Sequence, residues 1–191
     1  GDYVFTTDEQ AGSYLASYDI TNMSNIQEVD RIQSNPGSNS IPHNTHVDGN
    51  FLITSWYRDG TVVHDISNPH NLVQVAYYDS YSGSGDGFDG CWGTYPFLPS
   101  DVIISSDINS TSNGTARLLI YERGFSGACF LEGNVTDGNT GSSISGADVV
   151  ILNTTMPNSS STNLTGFYDS GNADSGSFDV VICCHFILSS A

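Results

Sequence analysis

A block at the start of this chain recurs further on. "YVFTTDEQAGSYLASYDITNMSNIQEVDRI" aligns with "NFLITSWYRDGTVVHDISNPHNLVQVAYY", and Asp19-Ile20-Thr21-Asn22 matches Asp65-Ile66-Ser67-Asn68, 46 residues on. A third, degraded copy is "DVIISSDINSTSNGTARLLIYERGF", where Ile104-Ser105-Ser106 aligns with Ile53-Thr54-Ser55. Each copy reads as an apolar strand, a polar turn, a second strand, a D-I-[ST]-N turn and a third strand. A period in the forties with several strands per unit marks propeller-like blades. A small sheet of this kind cannot bury both faces alone, so neighbours must stack on it. The expected units are about 1–48, 49–98 and 99–129. Three are too few to close a ring, since propellers need about four or more blades. Another domain, or strands from a neighbouring subunit, is expected to cover what the chain leaves open.

From about residue 130 the texture changes. "LEGNVTDGNTGSSISGADVVILNTT" gives a strand, a Gly/Asn/Thr turn and a second strand, and "GFYDSGNADSGSFDVV" gives a hairpin leading to the last strand. Residues 130–191 are therefore expected to form a small Ig-like or regulatory-like β-sandwich, incomplete at "VVICCHFILSSA". No segment carries a convincing 3.6-residue period, so the fold class is all-β. An open sandwich edge invites pairing with a strand of another chain. The N-terminal "DYVFTTD" and the C-terminal "DVVICCHFIL" are the candidate donor or acceptor strands.

The charge balance excludes several functions. The 191 residues include 21 acidic residues, four arginines and no lysine, a formal charge of −17. Such a surface repels phosphate backbones and anionic lipid, so neither nucleic acid nor a peripheral membrane is an expected partner. No stretch approaches the roughly 20 apolar residues of a membrane span. Seven Asn-X-Ser/Thr sequons occur, at Asn22, Asn109, Asn113, Asn134, Asn153, Asn158 and Asn163. With the missing lysines they point to a secreted or cell-surface glycoprotein. Cys91, Cys129, Cys183 and Cys184 make an even count, compatible with two disulfides in any of three pairings. The chain opens directly on a strand pattern, as expected for a mature form, a fragment or an incompletely read sequence.

Residues 41–122 resemble the LVIVD-repeat proteins, specifically the choice-of-anchor B type of surface β-propeller. The resemblance is carried by His43 to His46, "SWYRDG" with Trp56 and Gly60, "VVHDISNP" with Asp65 and Pro69, "GCWGTYPFLPSD" from Gly90 to Asp101, and Ser105 to Asp107. Residues 131–180 resemble the carboxypeptidase-regulatory-like sandwich module through "GNVTDGNTGSSISGADVVI" and "ADSGSFDV". These resemblances imply an extracellular β-protein with a non-catalytic accessory module, and they supply no reaction.

Candidate chemistry is sparse. His43, His46 and His64, with Asp65 or Asp107, are candidate ligands for zinc or copper, which need three or four donors on one centre. The bland alternative puts His43 and His46 in an inter-blade turn and His64 on a strand. Asp79, Asp86 and Asp89 lie in the Gly/Ser loop "DSYSGSGDGFDG", a candidate calcium site. No cofactor is required, and calcium is the one the loop admits. Trp56 and Trp92 are candidates for stacking on sugars, with Tyr57, Tyr95 and Phe97 beside them, although inter-blade packing is the commoner use of such rings. No nucleophile elbow or helical His-Glu-x-x-His motif is present. The expectation is a non-enzymatic structural or adhesive protein that assembles with copies of itself into a filament or surface array. The rival is a metal- or calcium-dependent ligand- or glycan-binding propeller, or a hydrolase, using the His43/His46 region.

Overall fold

The computed structural model describes residues 1–109, 114–156 and 159–184. The chain is all-β and divides into two compact units, Gly1–Gly127 and Ala128–Ala191.

Unit 1 is a series of three antiparallel sheets. The first holds β1 (Tyr3–Thr7), β2 (Leu15–Asp19) and β3 (Gln27–Ile32) in sequential order. The second is a four-stranded meander of β4 (Pro42–Asp48), β5 (Phe51–Trp56), β6 (Gly60–Asp65) and β7 (Val73–Tyr78), with a 3₁₀ turn at Tyr57–Asp59 between β5 and β6. The third holds β8 (Gly90–Tyr95), β9 (Ile103–Ile108) and β10 (Arg117–Tyr121). The first strands β1 and β8 both lie against β4, the first strand of the middle sheet. That is how propeller blades are arrayed around an axis, but among the described residues the sheets close into no ring.

The repeated D-I-[ST]-N motif has a local cause. Asp19 Oδ1 accepts the Thr21 amide at 2.8 Å, and Asp65 Oδ1 accepts the Ser67 amide at 2.7 Å. Three residues on, Asn22 and Asn68 repeat the device towards the amides of Ser24 and His70. Short Asx side chains thus satisfy turn amides that no ladder reaches, and this fixes where one strand stops and the next begins.

Period-2 alternation then sorts the two faces of the middle sheet. Leu52, Trp56 and Val62 face the first sheet, where they form one buried cluster with Leu15 and with the partly buried Phe5 and Ile32. Ile53, Ser55, Thr61 and Val63 occupy the other face, towards the third sheet. There Thr61 Oγ1 meets Ser105 Oγ at 2.6 Å, and Thr94 Oγ1 donates to the Ile53 carbonyl at 3.4 Å. Fully burying a Leu, Val or Ile side chain contributes roughly 1.5–3 kcal/mol, so the inter-sheet clusters dominate the stability of unit 1. Gly60 and Gly90 permit the close approach of the chain at two corners. Both have positive φ (85° and 90°), and a Cβ would lie 2.1 Å from the Tyr78 carbonyl oxygen at Gly60 and 2.3 Å from that of Tyr57 at Gly90.

Unit 2 is a small two-layer β-structure. β11 (Cys129–Asn134) pairs with β14 (Phe167–Asn172), and β12 (Ala147–Ile151) lies between β13 (Ser159–Ser161) and β15 (Val180–Cys184). Val135, Ala147 and Val149 form its core with Ile144, Tyr168 and Cys184 packed against them. Among the described residues β15 is an edge strand, and Val180, Val181 and Ile182 on it are exposed. The tail from His185 onward lies outside the described residues.

All four cysteines are free in this structure. Cys91 is enclosed between the second and third sheets beside Thr61, where burial raises its thiol pKa to about 12. Cys183 and Cys184 are consecutive on β15, so their side chains leave opposite faces of the strand. No helix among the described residues is long and apolar enough to cross a membrane.

Candidate functional site

The residues with most chemical capacity gather at the end of unit 1 where β4 begins and β5 ends. β4 carries His43 and pairs with β5, which runs straight into the 3₁₀ turn holding Tyr57. The Thr7 hydroxyl at the end of β1 donates to the His43 carbonyl, and the loop beyond β1 delivers Glu9. β8 brings Trp92 alongside. The His43 ring lies between Tyr57 and Trp92, with both ring centroids 5.3 Å away. Its Nδ1 faces the Trp92 carbonyl at 2.5 Å and Asn44 Nδ2 at 3.0 Å, while Nε2 lies 3.6 Å from Glu9 Oε1. Tyr57 donates its hydroxyl to the same carboxylate oxygen at 2.6 Å. Burial and that bond to a negative acceptor push the Tyr57 phenol well above its ordinary pKa, so it remains a donor. Phe88 meets the Tyr57 ring edge-on at 5.2 Å. Trp92 and Phe88 are about half exposed, at 49% and 56%. The result is a polar floor of Glu9, His43 and Tyr57 flanked by two accessible aromatic faces.

The expected metal set is not assembled. Among the described residues, no three His, Cys, Asp or Glu side chains converge so as to hold a metal ion. His43 and His46 lie on β4 itself, not in a turn. His46 sits with its ring edge-on to Phe97 at 5.7 Å. His64 is on β6 at the interface with the first sheet, fully buried, with both ring nitrogens unpartnered. Burial drives its pKa down to about 3, so it is a neutral core residue at ordinary pH.

The acidic loop is built around an arginine instead. Arg58 Nη2 reaches Asp89 Oδ2 at 2.7 Å, Nη1 donates to the Ser84 carbonyl at 2.8 Å, and the guanidinium lies over the Tyr81 ring at 5.1 Å. Asn109 also donates to Asp89, at 3.2 Å. Asp79 closes an Asx turn on the Tyr81 amide at 2.8 Å, and Asp86 acts on Arg58 only as a nearby charge. Asp79, Asp86 and Asp89 therefore do not point at one centre. Asp107 is separate again: it is buried on β9 with neither carboxylate oxygen hydrogen-bonded, and desolvation raises its pKa.

Of the two tryptophans proposed for stacking, Trp56 is core, 1% exposed, and only Trp92 can meet a ligand. Glu9 and Phe88 went unread in the sequence. Both sit in polar turn segments with no periodicity to mark them, and only the fold brings them to His43. The sequon residues Asn22, Asn109, Asn134, Asn153 and Asn163 are all exposed, whereas Asn113 and Asn158 lie outside the described residues.

No protein-family model matches this chain, and neither a curated protein nor a solved structure is significantly similar to it.

Proposed function

We propose that this is a non-enzymatic extracellular or cell-surface glycoprotein with a structural or adhesive role, which assembles with copies of itself. One observation carries this reading: the outer face of the third sheet is apolar, and among the described residues of unit 1 nothing covers it. Tyr95, Ile104, Leu118 and Ile120 share that face by strand register, and Leu118 and Ile120 are 69% and 66% exposed. No charged side chain interrupts it, in a chain with 25 charged residues. The opposite end of the row is finished differently. There Tyr18 bonds Glu28, Glu28 pairs with Arg31 at 2.5 Å, and Arg31 lies over Tyr14, a face suited to water.

Both faces of the middle sheet are covered by another sheet of the same chain, so the partner suited to the third sheet is the corresponding face of a second copy. The edge strand β15 in unit 2 offers a second contact, by strand addition. Two such surfaces on one chain propagate an array where one would stop at a dimer. The resemblance to surface propellers with accessory sandwich modules supports the extracellular address, as do the exposed sequon asparagines. Replacing Leu118 and Ile120 by Asp tests the assembly. Native mass spectrometry should show oligomers larger than a dimer for the parent and nothing beyond a dimer for the folded variant; oligomers unchanged by the variant would remove the third-sheet face from the account.

A second reading, glycan binding, is favoured by the exposed Trp92 and Phe88 above Glu9 and His43. It predicts saturable glycan-array binding that is lost on Trp92→Ala.

A further inference from the structure

We infer that the groove between β7 and β10 is a binding site for a small organic cation of the quaternary or primary ammonium class. It stands independently of the assembly reading.

The groove is a cavity of about 250 Å³ between the second and third sheets, and Thr61, Ile103, Tyr78, Tyr121, Glu122 and Phe125 shape it. Register explains why these residues meet. Tyr78 lies opposite Thr61 on the face of the second sheet that looks at the third, and Tyr121 lies opposite Ile103 on the face that looks back. Their rings approach with centroids 5.3 Å apart and planes inclined at 51°, forming an aromatic corner. Phe125 closes one side and is held edge-on to Phe51 at 4.9 Å. The faces of such rings carry negative potential and attract a cation, most effectively where water is partly excluded.

The charges around the groove point the same way. Among the described residues, Glu122 is the only charged one lining it. The neighbouring Arg123 is drawn off by Asp48, by Asp101 at 2.8 Å and by the Pro96 carbonyl at 2.7 Å. Glu122 makes no ion pair among the described residues, so its carboxylate is available at the rim. The Tyr121 hydroxyl is buried beside Thr61 and Ser105 without a well-formed hydrogen bond of its own, because Thr61 Oγ1 is taken up by Ser105. An anion finds no positive group here, and a net charge of −17 raises the local concentration of cations.

Titration calorimetry of the full chain with choline and with 3,3-dimethylbutan-1-ol, its uncharged isostere, separates charge from shape. Choline should bind saturably, roughly tenfold or more tightly than the isostere, and binding should weaken as salt is raised. Glu122→Gln and Tyr78→Leu should each weaken choline binding roughly five- to tenfold, with thermal unfolding confirming that both variants fold. Equal affinity for the isostere would make this an apolar groove and overturn the inference. So would competition by a neutral hexose, choline binding untouched by both substitutions, or no saturable binding of choline to the folded parent chain.

Discussion

Arg58 and Asp89 meet at 2.7 Å, with each side chain largely withdrawn from solvent, and the loop between the second and third sheets is folded over that pair. The guanidinium supplies the positive charge that a calcium ion would otherwise bring to so many carboxylates. It also fixes direction, because a planar fork can donate to Asp89 and to the Ser84 carbonyl at once. Arg58→Gln should lower the stability of unit 1 by about 1 kcal/mol and speed hydrogen exchange at the amides of residues 79–89. Added calcium should not restore either property. Exchange rates in the variant equal to those of the parent would mean the loop is held by something else.

His64 should make unit 1 sensitive to acid. Its folded pKa of about 3 lies below the value near 6.5 expected of an unfolded chain, because burial strips the charged ring of its hydration. The unfolded state therefore binds the extra proton first. The stability this neutral ring contributes is complete above about pH 6.5 and falls as pH is lowered towards 3, by a few kcal/mol in order of magnitude. His64→Leu should flatten the melting temperature across that window. An identical pH profile in the variant would place the acid sensitivity elsewhere.

Asp107 should act with the opposite sign. Desolvation raises its folded pKa above that of the unfolded chain, with Asp79 adding to the rise and Arg117 opposing it. The folded state then holds the proton longer, so this group costs stability progressively as pH rises from about 4 through the raised value. Asp107→Asn should raise the melting temperature at pH 7 and make little difference at pH 3. A variant less stable than the parent at pH 7 would show that the charged carboxylate is needed.

Gly60→Ala should be severe. A side chain there meets both an unfavourable positive φ and the Tyr78 carbonyl oxygen, and neither can be relieved without moving β7. The expected loss is about 3 kcal/mol or more, read by chemical denaturation. Gly49, also at positive φ but with open space around it, is the control and should cost less when replaced.

What could be read in the sequence was whatever repeats or alternates. The paired D-I-[ST]-N turns carried the blade-like organisation, and the strand β5 was visible as an apolar run ending at Trp56. β4 was not, because "PHNTHVD" has no alternation of apolar residues. Its place comes from pairing with β5 and from contacts with β1 and β8, which are tertiary facts. The same cause misplaced the histidines, assigned to a turn when they sit on a strand. Charge counts in the acidic loop suggested calcium because sequence cannot show that Arg58, some 20–30 residues earlier, folds into it. The groove at Tyr78 and Tyr121 was equally hidden, since only strand register brings those rings together.

The central claim is self-assembly through uncovered sheet surfaces, and size-exclusion chromatography with light scattering tests it most directly. With −17 charges per chain, copies repel at low ionic strength and should associate as salt screens them. The account predicts species larger than a dimer that grow with protein concentration and with salt, and extended arrays by electron microscopy. A monomer at every concentration and salt would contradict it.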